Sequence, residues 1–157
     1  MKHAVLELVS AERDRYVGAH SARTFLDFVV DGVSLYGLVR ARRLDQIGTL
    51  WFKPAMPAGE FRRHVEMLTG QRRGGAPGDR VCVYVCPECG DIGCGALTVE
   101  LRVSETDVEW VDWRYENNYD ATMSFDLPEF PRSRFDRKAY DRALQVALSD
   151  HEGVAGK

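Results

Sequence analysis

The sequence predicts one α+β domain in which an antiparallel β-meander is followed by a C-terminal helix. Apolar and polar residues alternate through residues 97–103 and again through 108–115, as in strands with one buried face. Near the end of the chain the apolar residues recur instead at helical spacing, from Arg137 to Ser149. With 157 residues, 45% of them hydrophobic, the chain is long enough to bury one core.

The first half of the chain is expected to hold two strands and one or two short helices. The strands are predicted over His3–Val9 and Thr24–Val30, and the second ends at Asp31-Gly32, a pair typical of tight turns. Apolar spacing predicts helices over 34–43 and 58–69, with Gly70 as the stop of the second.

The second half is predicted to be β-rich until its final helix. Residues 81–86 alternate in side-chain direction, and 104–107 form the turn between the next two strands. Asp136 is the expected N-cap of the last helix. We expect a single domain over residues 1–151 and a flexible tail over 152–157.

The composition argues against a membrane protein and against a disulfide scaffold. The apolar runs of the sequence, such as Phe28–Val30, are far too short to span a bilayer. An acid, Glu7, interrupts the apolar N-terminal stretch, which is atypical of a signal peptide, so we expect a cytoplasmic protein. Three of the four cysteines lie within nine positions, a crowding that suggests a metal or thiol site.

Charge is unevenly distributed along the chain. Residues 36–80 carry a net charge of +5, whereas residues 86–130 carry −9. Either the domain presents a basic and an acidic face to partners, or the two regions pair with each other across the fold. Nucleic-acid binding is not favoured, because the overall charge is −3 and the basic pairs lack interleaved aromatic residues.

The most specific local pattern is the run Cys86-Pro87-Glu88-Cys89-Gly90, followed by Cys94. Two thiolates at this spacing are typical of a zinc knuckle, so Cys86, Cys89 and Cys94 are candidate ligands of a structural zinc ion. A straight strand would place Cys82 ~13 Å from Cys86, too far to share one ion. The fourth ligand stays open between a histidine, Asp91, Glu88 and water.

Two other interpretations of this cysteine turn stay open. A disulfide between Cys94 and either Cys86 or Cys89 would be labile and redox-active. Alternatively, the reduced cysteines and their neighbouring glycines form a tight connection between strands.

A second candidate surface follows the meander. Aromatic side chains beside amides and acids suit recognition of a partner protein. Alternatively, the tryptophans fill the core and only 116–120 forms a polar turn. The candidate partner-binding residues are Trp113, Tyr115, Glu116, Asn117, Asn118, Tyr119 and Asp120.

Four parts of the sequence are informative when taken together: Val83–Val99, Val108–Trp113, Tyr115–Asp120 and Phe135–Leu144. Together they resemble a family of uncharacterised bacterial proteins. The family is common in actinobacteria, and some members carry an oxidoreductase label. In these proteins a Cys/Gly-rich turn joins two strands and the chain ends in a helix. The resemblance implies the same fold and no particular activity, cofactor or catalytic residue.

No catalytic motif for nucleophilic, nucleotide-dependent or paired-histidine metal chemistry is present in the sequence. The leading hypothesis is therefore a non-enzymatic cytosolic module that binds a partner protein, of the kind that neutralises a toxin. The alternative is a thiol-dependent redox protein using Cys86, Cys89 and Cys94. A third hypothesis is a zinc-stabilised regulator.

Overall fold

The computed structural model describes residues 2–13, 23–88, 95–117 and 121–155 of the chain. Within these ranges the chain forms two antiparallel sheets and three helices, which confirms the predicted α+β class. The strands are β1 (Leu6–Glu12), β2 (Thr24–Val30), β3 (Val33–Ser34), β4 (Ile47–Gly48), β5 (Trp51–Lys53), β6 (Val81–Val85), β7 (Ala96–Val103), β8 (Asp107–Glu116), β9 (Phe125–Asp126) and β10 (Ser133–Asp136); the helices are α1 (Leu35–Ala41), α2 (Glu60–Leu68) and α3 (Arg137–Ala155).

The smaller sheet is built on the antiparallel pair β1–β2, whose register runs from Leu6 opposite Val30 to the far end of both strands. Strands β3 and β5 both pair with the other side of β2. Asp31 and Gly32 connect β2 to β3 with φ values of 50° and 78°. Positive φ at both central residues is the geometry of a two-residue hairpin turn, so the turn predicted here is confirmed.

The larger sheet has the strand order β10-β8-β7-β6-β4, and β9 pairs with the remaining half of β8. Because β6, β7 and β8 are antiparallel neighbours in chain order, the predicted meander is confirmed. The two sheets are joined at both margins. On one side the chain passes from β4 in the larger sheet to β5 in the smaller. On the other side the Ala4 N–H donates to the Arg134 carbonyl at 2.7 Å.

Polar side chains cap the N-termini of two helices. The Ser34 hydroxyl accepts a hydrogen bond from the Gly37 N–H at 3.2 Å at the start of α1. The Asp136 carboxylate accepts one from the Ala139 N–H at 3.0 Å, as predicted for the last helix. These bonds satisfy N–H groups that have no partner inside the first turn of a helix.

Trp110 lies at the centre of the core and connects three elements. Its fully buried ring makes edge-to-face contacts with Phe28 at 5.6 Å and Phe135 at 5.1 Å between ring centroids. The indole Nε1–H donates to the Tyr140 hydroxyl at 3.1 Å, and that hydroxyl donates to the Leu68 carbonyl at 2.6 Å. This chain of contacts fixes α3 against β8 and against the last residue of α2.

A buried carboxyl group, Asp27 on β2, joins the two sheets to α1. It accepts hydrogen bonds from the Tyr84 hydroxyl at 2.7 Å, the Ser34 hydroxyl at 2.5 Å and the Tyr36 N–H at 3.2 Å. Burial, together with the neighbouring Asp27, raises the pKa of Tyr84 well above its ordinary value, so this phenol stays protonated and donates. A polar group in the core is tolerated when it is satisfied in this way.

Several predicted boundaries differ from the structure, most clearly those of the first strand and of the last helix. The first strand is Leu6–Glu12 and not His3–Val9. Its start is shifted because the Val5 N–H donates to the Asp31 carboxylate at 2.8 Å and not to a strand carbonyl. Helix α3 continues to Ala155, although a flexible tail was predicted from residue 152. Glu152 pairs with Arg62 at 2.5 Å, and this contact with α2 supports the last turns of the helix. Residues 156–157 lie outside the described part of the chain.

Val99 on β7 is fully buried, so we expect Val99→Asp to unfold the domain. An unpaired buried charge costs several kcal/mol, a large share of the stability of a small domain. Val103→Asp is the control, because Val103 lies on the same strand and is 38% exposed. Thermal unfolding followed by circular dichroism should show no folded state for the first variant and a nearly wild-type curve for the second. A folded Val99→Asp variant would contradict the assigned core.

His64 on α2 predicts a pH-dependent loss of stability. The pKa of this imidazole is lowered from 6.5 to about 4, mainly by burial; nearby Glu60 opposes the shift and Arg63 adds to it. Between these two pKa values the unfolded chain binds a proton that the folded chain does not, so the free energy of unfolding decreases as the pH falls. Chemical denaturation at a series of pH values measures the free energy of unfolding of wild type and of His64→Gln. From about pH 7 to about pH 4, the wild type should lose up to roughly 3 kcal/mol relative to the variant, which has no imidazole to protonate. If the free energies of unfolding of the two proteins changed equally with pH, His64 would lie in a solvated site.

Candidate functional site

The cysteine turn leaves the larger sheet after β6, and side chains from the smaller sheet hold its beginning. Arg23 Nε donates to the Pro87 carbonyl at 2.9 Å. Arg13 Nη1 donates to the Glu88 carboxylate at 2.8 Å. Arg13 directly follows β1 and Arg23 directly precedes β2, so this end of the paired strands lies beside Pro87 and Glu88 at the beginning of the cysteine turn.

Arg13 is nearly buried, and two carboxylates share its guanidinium. Nε donates to Asp45 at 3.0 Å, Nη2 donates to the second oxygen of the same carboxylate, and Nη1 is bound to Glu88. A bidentate arginine–carboxylate pair is strong and fixes geometry. Because a buried guanidinium is costly without such partners, this cluster fixes the position of Glu88 relative to β1 and to the segment before β4.

Strand register brings the two groups of candidate residues from the sequence to the same end of the larger sheet. Val85 pairs with Ala96, and Ala96 pairs with Glu116. Cys86, Gly95 and Asn117 are the next residues along the chain beyond these paired ends of β6, β7 and β8. On the β4 side, Gln46 Nε2 donates to the Gly95 carbonyl at 3.2 Å and holds the point at which the cysteine turn rejoins the sheet.

Tyr115 covers the returning end of the cysteine turn. Gly95 has a φ of 119°, and a Cβ atom at this position would overlap the Tyr115 hydroxyl. Asn117 Nδ2 donates to the same hydroxyl at 3.4 Å. The cysteine turn and the candidate partner-binding strand, predicted as separate features, are thus in direct contact.

An exposed group of aromatic and basic side chains lies beside Tyr115. The Phe125 ring stacks on Tyr115 with centroids 4.9 Å apart and planes 12° apart, and the Arg42 guanidinium lies 5.6 Å from the Phe125 centroid. Phe125 is 37% exposed and Met123 is 53% exposed. We call Arg42, Tyr115, Asn117, Met123 and Phe125 the Phe125 surface.

The structure separates the predicted partner-binding residues by their accessibility. Trp113 is 3% exposed, and its indole N–H donates to the Pro131 carbonyl at 3.1 Å, so its ring is a core side chain. Tyr115, Glu116 and Asn117 are half-buried at the end of β8. Asn118, Tyr119 and Asp120 lie outside the described residues.

Arginines from the basic part of the chain pair with several acids of the acidic part. Arg42 Nε binds Glu129 at 2.8 Å, and Arg80 Nη1 binds Asp112 at 3.3 Å. These contacts match the alternative in which the two oppositely charged regions pair across the fold.

Sequence reasoning missed three residues of the Phe125 surface: Arg42, Met123 and Phe125. A weak signal existed for two of them, because Met123 and Phe125 are apolar residues two positions apart in a mostly polar stretch. Arg42 had no local signal, since only the tertiary structure brings the end of α1 to β9.

The chemistry of the cysteine turn is described only in part. Cys86 is half-buried and Cys82 is buried in β6, whereas Cys89 and Cys94 lie outside the described residues. Among the side chains that the structure describes, no three His, Cys, Asp or Glu residues are placed to hold a metal ion. The zinc and disulfide hypotheses for Cys86, Cys89 and Cys94 therefore stay predictions.

Of the helices in the described ranges, none is both long and apolar enough to cross a membrane. Comparisons with protein-family models, with curated proteins and with solved structures gave no match to this chain. The functional argument therefore depends on the contacts of the site itself.

Gly95→Ala should disturb the Phe125 surface through Tyr115. A residue with a Cβ at this φ is strained by roughly 1–3 kcal/mol, and overlap with the Tyr115 hydroxyl adds to the loss. Gly32→Ala is the matched control, because Gly32 has a φ of 78° and no atom within 4 Å of the added Cβ. Chemical denaturation should show that Gly95→Ala lowers the free energy of unfolding more than Gly32→Ala does. Adding Tyr115→Ala to Gly95→Ala should restore part of that loss, because it removes the overlapping hydroxyl. Equal losses at both glycines, independent of Tyr115, would contradict the contact.

Proposed function

We propose that this protein is a non-enzymatic cytoplasmic module that binds a partner protein through the Phe125 surface. In an immunity-type version of this role, the partner is a toxin that the domain neutralises. The thiol-redox and zinc-regulator hypotheses depend on Cys89 and Cys94 and have no support among the described residues.

The single observation that carries the proposal is the stack of Arg42, Phe125 and Tyr115, together with the exposed Met123 two residues before Phe125. Aromatic residues, methionine and arginine are the types enriched in protein–protein interfaces. Large side chains that are already ordered by stacking lose little conformational freedom when a partner covers them. These properties are typical of the few residues that supply most of the binding energy in an interface.

The charges around this surface are mutually neutralised. Arg42 pairs with Glu129 at 2.8 Å, and Arg114 pairs with Asp126 at 3.3 Å. A neutralised apolar contact gives little long-range steering. We therefore expect association with the partner to depend only weakly on salt, in contrast to the behaviour of an unpaired acidic face.

Phe125→Asp should weaken association with the partner. A photoreactive amino acid at position 123 identifies the partner, and titration calorimetry with the purified partner then measures affinity. We expect Phe125→Asp to weaken binding about thirtyfold, the effect of losing ~2 kcal/mol at a central aromatic residue.

Val146→Asp is the matched control, because Val146 on α3 is 53% exposed and lies outside the Phe125 surface. This variant should bind like wild type. A partner that binds Phe125→Asp as tightly as wild type, or that reacts equally with a photoreactive residue at position 146, would refute this surface.

A further inference from the structure

The hydrogen-bond pattern of β1 shows which backbone groups face away from β2. The Arg13 N–H donates to the Arg23 carbonyl, and the Asp31 N–H donates to the Val5 carbonyl. In an antiparallel pair the bonded positions alternate, so the odd-numbered residues of β1 bind β2. The N–H and C=O groups of the even-numbered residues therefore point to the outer edge of the sheet.

No described residue covers the backbone of this outer edge along its second half. The outward backbone groups of Leu8, Ser10 and Glu12 have no hydrogen-bond partner in the described part of the chain. Helix α3 packs against β1, and Leu6 is buried, but Val9 is 46% exposed and Ser10 and Glu12 are exposed.

Three common protections of an edge strand, lysine, proline and a bulge, are missing from β1. Proteins commonly guard such edges with lysine, proline or a bulge. β1 contains neither lysine nor proline, and its register with β2 is continuous over seven residues. A regular, unguarded edge of this length is a template for a further strand.

We propose that β1 binds an extended, basic segment of a partner protein as an added antiparallel strand. The two charged residues of β1 are both acids, Glu7 and Glu12, and neither makes an ion pair with any described residue. Val5, Glu7 and Val9 share one face, which therefore reads apolar, acidic, apolar. A matching strand presents apolar, basic and apolar side chains opposite these positions.

Charge complementarity favours this partner over a second copy of the chain. Pairing two β1 strands would bring together four glutamates and no basic residue from either strand. The outer edge of β1 shares no residue with the Phe125 surface. The strand-addition proposal therefore does not rest on the proposed function, and either proposal can fail without the other.

The test uses amide hydrogen exchange of the whole chain by NMR. In the free protein, the amides of Leu8, Ser10 and Glu12 should exchange fast while those of Glu7, Val9 and Ala11 are protected. The probe is a synthetic peptide as long as β1 with valine facing Val5 and Val9 and lysine facing Glu7. At about ten times its Kd, the peptide should slow exchange of the three outward amides about tenfold.

Two comparisons separate strand addition from nonspecific attraction. The same peptide with glutamate replacing lysine should bind at least about fivefold more weakly. Ser10→Pro removes an outward N–H without removing a bond to β2, so it should abolish peptide binding while the fold persists. Ser10→Ala is its matched control and should bind like wild type.

Three outcomes would overturn the proposal. Protected outward amides in the free monomer would mean that the edge is already covered. Equal binding of the lysine and glutamate peptides would remove the charge argument. Concentration-dependent protection of the same amides together with a dimer in sedimentation experiments would assign the edge to a second copy of the chain.

Discussion

The buried carboxyl group of Asp27 is the constraint on which the arrangement of this domain depends. It accepts bonds from β6 through Tyr84 and from the start of α1 through Ser34 and the Tyr36 N–H. Leaving such a group without one of its donors costs roughly 1–3 kcal/mol. The two sheets and the helix therefore have one arrangement in which all of these groups are satisfied.

The effect of this constraint reaches the candidate site. Asp27 fixes the first turn of α1, and Arg42 caps the other end of the same helix. From this position Arg42 reaches Phe125, which stacks on Tyr115, which in turn covers Gly95. A core hydrogen-bond group thus positions, through one short helix, the aromatic side chains of the Phe125 surface.

Arginine has a structural role in this protein that lysine would not fulfil. The chain has 17 arginines and only 4 lysines. Arg13 binds two carboxylates, and Arg80 donates to both the Thr98 hydroxyl at 2.9 Å and the Thr98 carbonyl at 3.1 Å. The planar guanidinium supplies several fixed donors at once, whereas an ammonium group is a point charge. These arginines therefore connect strands at positions where the ladders end or shift register.

The sequence by itself determined the local elements. Strand β2 follows from its run of aromatic and branched apolar residues, and the Asp31-Gly32 turn from residues that tolerate positive φ. The start of α3 follows from its Asp136 cap. Such properties depend on neighbours within a few positions, so they are readable along the chain. Only the tertiary structure decided that Trp113 is buried, that Arg42 reaches Phe125, and that Tyr115 covers Gly95. These relations arise from strand register and from packing between residues far apart in sequence, which no local pattern encodes.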